Sequence, residues 1–178
     1  MILIIKTPNH KLHDFEFVKP IEDVLKRNNF EYKSVHYSRL KGELLKKSEK
    51  IIISGTSLKD NTYLDSINEF NWINQFYKPI LGICGGMHIL GLLYNGEIKK
   101  RQEIGLTKVI FKNDFLGFRG EHLVYELHNL NIKSNEFNIA ALSENGIQAI
   151  KHKKKPFYGV QFHPEVRNKN LIINFANL

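Results

Sequence analysis

The 178-residue chain contains a single cysteine, Cys84, and the residues around it are typical of a catalytic nucleophile. Residues 79–83 are predicted to form a buried strand and residues 86–94 a helix, so the cysteine lies in the turn between them. Gly82 and Gly86 flank it two residues away on either side, in the pattern of a nucleophile elbow. A helix N-terminus favours thiolate over thiol, so Cys84 is predicted to be reactive. The alternative is an inert, small hydrophobic residue at the end of a strand.

A histidine and a glutamate, His163 and Glu165, stand two residues apart near the C-terminus. Residues i and i+2 of a strand point to the same side, so both side chains would share a face where a predicted strand over residues 157–162 ends. A carboxylate beside an imidazole fixes its tautomer and stabilises its protonated form. Such an imidazole can deprotonate a thiol and protonate a leaving amine. The alternative is a surface histidine and glutamate that only follow the strand.

A third segment, residues 51–57 with the sequence Ile-Ile-Ile-Ser-Gly-Thr-Ser, ends a predicted strand in a small, glycine-containing loop. Ligands of an open α/β sheet bind at the carboxyl ends of its strands, and such a loop can offer backbone N–H groups to an oxyanion. Many strands end in Ser-Gly, so the loop is a weak signal by itself.

The elements that must position these segments alternate between strands and helices in the first half of the chain, which favours βαβ units. Apolar periodicity predicts strands at residues 2–6, 31–37, 51–53 and 79–83, with helices at residues 17–28, 41–49, 63–76 and 86–94. Later strands are predicted at residues 107–112, 121–126, 137–143, 146–152 and 157–162, and a closing helix at residues 169–178. We therefore expect an α/β fold with a three-layer, open, mostly parallel sheet flanked by helices, and an antiparallel β extension in the C-terminal half.

Length and composition predict one domain over residues 1–178. A lone cysteine excludes a disulfide framework and a cysteine-based zinc cluster, and no apolar run approaches the ~20 residues that cross a bilayer. The opening residues also lack a secretory signal, so we expect a cytoplasmic chain with no membrane contact. The net charge is +8, but the lysines are spread along the chain, which is more typical of a solvated surface than of a nucleic-acid site.

The sequence patterns of two common cofactor sites are incomplete in this chain. Residues 91–96 are spaced like a P-loop but lack its Lys-Ser/Thr pair, so a nucleotide cannot be held in that way. The eight histidines show no paired spacing with acidic residues that would indicate a metal site. We expect neither a cofactor nor a metal.

These motifs resemble those of the class I, triad-type glutamine amidotransferases, and the resemblance covers nearly the whole chain. The elbow at residues 82–86 carries it, together with residues 158–166, Tyr-Gly-Val-Gln-Phe-His-Pro-Glu-Val. Residues 151–159 are most similar to the amidotransferase subunit of archaeal-type GMP synthetases. The resemblance implies Cys84 as nucleophile, His163 as base and Glu165 as its orienting partner. It also implies hydrolysis of glutamine to glutamate and ammonia through a γ-glutamyl thioester.

The chain departs from the family pattern at its substrate-binding positions. The family commonly has a glutamine that helps to seat the substrate where this chain has His88. The Ser-His-x-Asp segment by which GMP synthetases face their synthetase has its nearest match in residues 127–130, Leu-His-Asn-Leu, which makes His128 a candidate binding residue.

The loop after the third strand departs as well. The family's Ser-Gly-Gly-Pro is Ser-Gly-Thr-Ser at residues 54–57. By resemblance, the oxyanion hole would use backbone amides near Gly55, Thr56 and Gly85.

We therefore expect a glutaminase subunit that passes ammonia to a separate, ATP-dependent synthetase, because no ATP site is visible in this sequence. One alternative is a stand-alone γ-glutamyl amide or peptide hydrolase with the same triad. Another is a catalytically silent regulatory or binding subunit, which the departures at His88 and Thr56 favour. The lysines of residues 151–155 lead into the strand before His163, and predict a basic rim at the site that steers an acidic partner face.

Overall fold

The computed structural model describes residues 1–178, and its strands form one nine-stranded sheet. The strands are β1 (Ile2–Lys6), β2 (Tyr32–His36), β3 (Lys50–Ile53), β4 (Ile80–Ile83), β5 (Glu97–Phe115), β6 (Phe118–Lys133), β7 (Phe137–Leu142), β8 (Ile147–His152) and β9 (Phe157–Val160). The α-helices are α1 (Lys11–Phe17), α2 (Lys19–Arg27), α3 (Gly42–Lys47), α4 (Thr62–Asp65), α5 (Gly85–Leu93) and α6 (Asn170–Ala176). Short 3-10 helices occupy Tyr37–Arg39 and Ile67–Gln75. No helix combines the length and the apolar character needed to span a membrane.

The strand order is β2-β1-β3-β4-β9-β8-β7-β5-β6. The first five strands in this order are parallel, and β9-β8, β8-β7, β7-β5 and β5-β6 are antiparallel pairs. The predicted α/β fold with an antiparallel extension in the C-terminal half is confirmed. The parallel register brings the carboxyl ends of β1, β3, β4 and β9 to one edge of the sheet, so all three segments with candidate chemistry meet there.

Alternating residues of the central strands fill two cores, one on each face of the sheet. Ile2 and Ile4 of β1 pack in the core that α2 and α6 cover. Leu3 and Ile5 pack in the other core, against α5 and the 3-10 helix Ile67–Gln75. Burial of both faces explains why these strands read as continuous apolar runs in the sequence.

The antiparallel extension is longer than its sequence pattern predicts. β5 and β6 have 19 and 16 residues and pair along most of their length, whereas the pattern indicates strands only at residues 107–112 and 121–126. Much of β5 is exposed, so polar and charged residues are accommodated in the strand and weaken the apolar signal.

The predicted helix at residues 63–76 is divided into α4 and a 3-10 helix. The buried Phe70, Ile73 and Phe76 recur every three residues, which matches the three residues per turn of a 3-10 helix. The sequence also gives no separate signal for α1, which precedes the predicted helix at residues 17–28.

Candidate active site

Cys84 is the one residue between β4 and α5, and it has φ 49° and ψ −105°. A positive φ is strained for a side chain with a Cβ, at a cost of about 1–3 kcal/mol, and such strain clusters at functional sites. The turn requires glycine at both flanking positions, because neither has room for a Cβ. A Cβ at Gly82 would lie only 2.4 Å from the Gly86 carbonyl oxygen. At Gly86 a Cβ would lie 2.4 Å from the Ile53 carbonyl oxygen. The structure therefore has the tight turn between strand and helix that the glycine spacing predicts.

His163 and Glu165 form a buried pair beyond the carboxyl end of β9. Each is 1% exposed, and Nδ1 of His163 lies 2.7 Å from Oε1 of Glu165. A carboxylate can only accept from this nitrogen, so Nδ1 carries the proton and the tautomer is fixed. The other ring nitrogen, Nε2, is buried without a hydrogen-bond partner in the protein, which leaves it free for proton transfer.

The protonated form of His163 is favoured by its neighbours. Burial alone would lower the pKa of His163, but the Glu165 carboxylate and the Cys84 sulfur raise it well above 6.5. The Cys84 sulfur therefore lies beside a cationic ring, as reactive cysteines commonly do.

Gly55 is the point at which the loop after β3 contacts both residues. A Cβ at Gly55 would lie 2.8 Å from Cε1 of His163 and 3.2 Å from Cβ of Cys84. The loop is fixed from the end of β1, where the Thr7 hydroxyl lies 3.0 Å from the carbonyl oxygens of both Ser54 and Gly55. Any residue larger than glycine would displace the histidine from the cysteine.

Three backbone N–H groups of the segments that meet at Cys84 have no acceptor within the protein backbone. Gly55 and Thr56 donate no backbone hydrogen bond within the protein. Gly85 is the first residue of α5, where N–H groups have no intrahelical partner. The structure thus brings together five residues that the sequence predicts for the site, Cys84, His163, Glu165, Gly55 and Gly85, and Thr56 follows Gly55 in the same loop.

His88 lies behind Cys84 on α5 and is 2% exposed. Its Nε2 is 3.0 Å from Oε1 of Gln161, and its Nδ1 is 2.7 Å from the Tyr63 hydroxyl. Burial lowers the pKa of His88 to about 4, although the hydrogen bond to Gln161 raises it. His88 is therefore a neutral, fully bonded side chain near neutral pH.

Two residues that contact this site, Gln161 and Tyr63, were not predicted from the sequence. Nε2 of Gln161 lies 3.9 Å from Cys84 Sγ, and the ring of Tyr63 packs against Gly85. Gln161 stands two residues before His163, so the i, i+2 rule that joined His163 to Glu165 could also have found it. Tyr63 has no signal in the sequence, because the loop and short helix that carry it have no recognisable motif.

A cleft of about 610 Å³ opens beside Cys84 and His163, within the usual size range for small-molecule sites. Two of its residues touch the site: the Phe17 ring centroid is 5.4 Å from that of His163, and the Leu127 carbonyl oxygen is 3.9 Å from Cys84 Sγ. The remaining lining residues are polar or charged except Leu58, and are Asn9, His10, His13, Glu16, Ser57, Leu58, Lys59, Asp60 and Thr62.

His128 does not line this cleft. It is 2% exposed, and its Nε2 is 3.2 Å from carboxylate oxygens of both Glu103 and Glu126. The register of β5 and β6 pairs His128 with Glu103 on the covered face of the hairpin, whereas the adjacent Leu127 faces the cleft. No group of three or more His, Cys, Asp or Glu side chains in residues 1–178 could hold a metal ion.

The predicted basic rim at the site is wrong. The lysines of residues 151–155 precede β9, and His163 follows it, so the two lie at opposite edges of the sheet, roughly 13 Å of strand apart. Lys155 is used structurally: its Nζ donates to the Asn74 carbonyl oxygen at 2.7 Å, in the segment that leads to the amino end of β4.

Comparison with known proteins agrees with this geometry. The family model "Glutamine amidotransferase class-I" matches residues 11–173. Glutamine-hydrolysing GMP synthases of Francisella philomiragia and Francisella tularensis are each 32% identical over 139 residues, which is 71% of this chain and 27% of theirs. The chain thus spans about a quarter of the length of these relatives.

Solved structures show the same fold. A Thermoplasma acidophilum protein described as a GMP synthase subunit superposes with a TM-score of 0.87 at 26% identity, over 99% of this chain and 92% of that one. A glutamine amidotransferase of Thermotoga maritima superposes with a TM-score of 0.75 at 18% identity, over 95% and 78% of the two chains. The chain belongs to the class I glutamine amidotransferase family.

Proposed function

We propose that this chain hydrolyses L-glutamine to glutamate and ammonia, with Cys84 as nucleophile. The observation that carries the proposal is the buried pair of His163 and Glu165, joined at 2.7 Å, beside a cysteine held at a positive φ at the N-terminus of α5. A nucleophile, a base and an orienting carboxylate in this arrangement are the requirements of acyl transfer through a covalent intermediate.

In the first half of the reaction, the Cys84 thiolate attacks the side-chain amide carbon of glutamine. The negative charge that develops on the carbonyl oxygen is bound by the free N–H groups of Gly55, Thr56 and Gly85, and one such donor typically contributes about 10²–10³-fold. His163 gives the proton on Nε2 to the leaving nitrogen, which departs as ammonia and leaves a γ-glutamyl thioester on Cys84.

In the second half, water attacks the thioester carbon while Nε2 of His163 takes its proton. The C–S bond breaks, glutamate leaves, and the thiolate is restored beside a protonated His163. Glu165 keeps Nδ1 protonated and stabilises the imidazolium, but it does not move a proton itself. A positioned acid–base group of this kind contributes about 10²–10⁴-fold.

We propose that ammonia passes to a separate, ATP-dependent synthetase in the cytoplasm, in GMP formation. The GMP synthases to which the chain is similar are about four times as long as the matched part, and the match covers 27% of their length. Ammonia is mostly protonated in neutral water and is then a poor nucleophile. A partner that covers the cleft would keep ammonia away from bulk water and so prevent its protonation.

The surface beside the cleft supports such a partner. Ile104, Leu106, Ile110 and Leu123 are 59, 59, 56 and 37% exposed on the β5–β6 hairpin. Ile104 is paired with Leu127, so this apolar hairpin face is continuous with the side chain that lines the cleft. Exposed apolar patches of this kind commonly mark protein interfaces. We propose that the synthetase docks on the apolar hairpin face, where it would cover the exit from Cys84.

The proposal is tested by measuring ammonia release from glutamine with and without the ATP-dependent subunit of a GMP synthase and its nucleotide substrates. We expect weak turnover alone and stimulation by the subunit, with Leu106→Lys losing most of the stimulation while keeping its basal turnover. Lys153→Glu with Lys154→Glu is the matched control, because it changes surface charge at the opposite edge and should couple normally.

Three results would contradict parts of the proposal. If the double variant Lys153→Glu with Lys154→Glu loses stimulation by the synthetase while Leu106→Lys keeps it, the partner does not dock on the apolar hairpin face. Full turnover alone, with no response to the synthetase, would identify a stand-alone γ-glutamyl hydrolase. No ammonia release under any condition would identify a silent subunit.

A further inference from the structure

We propose that Tyr63 and His88 are positioning residues that act through Gln161 to hold an amide N–H against the sulfur of Cys84. The inference rests on the proposed function in taking Cys84 as the nucleophile. It gives His88 a role that differs from substrate seating, because the side chain is directed away from the cleft and toward two buried partners.

The contacts form one continuous chain behind the elbow. The Tyr63 hydroxyl lies 2.7 Å from Nδ1 of His88, Nε2 of His88 lies 3.0 Å from Oε1 of Gln161, and Nε2 of Gln161 lies 3.9 Å from Cys84 Sγ. Tyr63, His88 and Gln161 are 1, 2 and 0% exposed, so water does not compete for these bonds. We call these three residues the amide relay.

The donors of the amide relay all point toward the sulfur. The amide oxygen of Gln161 can only accept, so Nε2 of His88 carries its proton. The pKa of His88, lowered to about 4 mainly by burial, leaves this residue with one ring proton. Nδ1 must then accept, and it accepts from the Tyr63 hydroxyl. A protonated His88 would have no acceptor site for Tyr63, so the relay requires the neutral ring.

The direction of donation selects the state of the sulfur. Two groups lie 3.9 Å from Sγ: the Leu127 carbonyl oxygen, which can accept from a thiol, and the Gln161 amide nitrogen, which can donate to a thiolate. With the relay intact, the Gln161 amide is fixed with its N–H groups toward Sγ. A hydrogen bond to an ionised acceptor is stronger than one to its neutral form, so the relay favours the thiolate. The ionisable groups that face the relay and the sulfur are Asp60 beside Tyr63, His128 with Glu126 beside His88, and His163 with Glu165 beside Cys84.

A purely structural relay would affect folding and not the reactivity of the sulfur. The test therefore measures the rate at which iodoacetamide alkylates Cys84 as a function of pH, which needs no glutamine and, with one cysteine in the chain, reports on a single site. Steady-state kcat and KM for glutamine are measured alongside. Tyr63→Phe removes only the hydroxyl, His88→Leu breaks the relay, and His88→Gln restores a side chain that can both accept and donate.

Tyr37→Phe is the matched control. Tyr37 is another buried tyrosine of the same core, and its hydroxyl bonds Ser66 at 3.3 Å, outside the relay. It should behave as the wild type in every assay.

We expect Tyr63→Phe and His88→Leu to shift the midpoint of alkylation to higher pH. The same variants should lower kcat about fivefold to tenfold with little change in KM. His88→Gln should recover most of the wild-type midpoint and most of the wild-type kcat. If Tyr63→Phe, folded as judged by circular dichroism, alkylates at the wild-type midpoint, the relay does not act on the sulfur. A rise in KM with unchanged kcat in His88→Leu would instead make His88 a substrate-seating residue. If the alkylation shift occurs in a chain that releases no ammonia, the relay stands and the proposed function fails.

Discussion

Two buried histidines, His163 and His88, lie near Cys84, and the protein holds them in opposite charge states. His163 is 1% exposed and faces a carboxylate, and its pKa is raised well above 6.5 despite its burial. His88 is 2% exposed and faces a neutral amide and a hydroxyl, and burial lowers its pKa to about 4. Equal burial thus gives one charged imidazole and one neutral imidazole that is fixed by two hydrogen bonds.

The difference teaches that the partner, and not the depth of burial, decides what a histidine does. Desolvation disfavours the charged form of both rings, and at His163 the Glu165 carboxylate together with the Cys84 sulfur outweighs it. The roles that we propose divide accordingly: the charged ring transfers protons, and the neutral ring orients a donor.

Replacing His163, the charged histidine, is expected to have the largest effect on glutamine turnover. His163→Asn keeps a polar side chain of similar size but removes the group that transfers protons, so glutamine turnover should fall by about 10³-fold or more. Ammonia release under saturating glutamine measures this. A loss of less than tenfold would mean that His163 is not the proton-transfer group.

A smaller effect is expected from removing the charge that distinguishes His163 from His88. Glu165→Gln leaves a hydrogen-bond acceptor at Nδ1 but not the carboxylate, so the pKa of His163 should fall and turnover should decrease about 10–100-fold. The pH profile of kcat/KM should lose its alkaline side at lower pH than in the wild type. If Glu165→Gln loses more activity than His163→Asn, the two roles are assigned wrongly.

The smallest effect is on stability, where the two histidines should act in opposite pH ranges. Above pH 6.5 the folded chain still holds the His163 proton that the unfolded chain releases, so stability declines as pH rises through the raised pKa. Between pH 6.5 and about 4, unfolded His88 binds a proton that the folded chain excludes, so stability declines as pH falls. A pKa that differs by one between the folded and unfolded chains corresponds to about 1.4 kcal/mol.

Urea unfolding of the wild type and two variants resolves these ranges. Glu165→Gln should reduce the decline in the free energy of unfolding above pH 6.5. His88→Gln should reduce the decline in the free energy of unfolding below pH 6.5. If either variant instead reduces the decline in the other pH range, the charge states of His163 and His88 are assigned the wrong way round.

The sequence predicts much of this site because short-range geometry determines it. The elbow follows from glycines at fixed spacing around Cys84, and the His163–Glu165 pair follows from the two-residue period of a strand. The relay could not be predicted, because Tyr63 lies in the short helix α4, which has no recognisable motif, and reaches His88 through a tertiary contact. The lysine rim failed for a topological reason: closeness in sequence to His163 does not place residues 151–155 at the same edge of the sheet.

The extension shows a second limit. His128 and Leu127 are neighbours in sequence, yet the β5–β6 register turns one into the protein and the other toward the cleft. A strand whose outer face is partly apolar and whose inner face carries Glu103 and Glu126 gives no clear alternation, so neither face could be assigned without the structure.

The central claim is that Cys84 forms a covalent bond with glutamine. The most direct measurement is mass spectrometry of the intact protein, quenched in acid during turnover of glutamine, with Cys84→Ala as the control. We predict a γ-glutamyl adduct that maps to Cys84 in the wild type, and neither adduct nor ammonia release above background in the variant. Ammonia release by Cys84→Ala at more than about a tenth of the wild-type rate would contradict it.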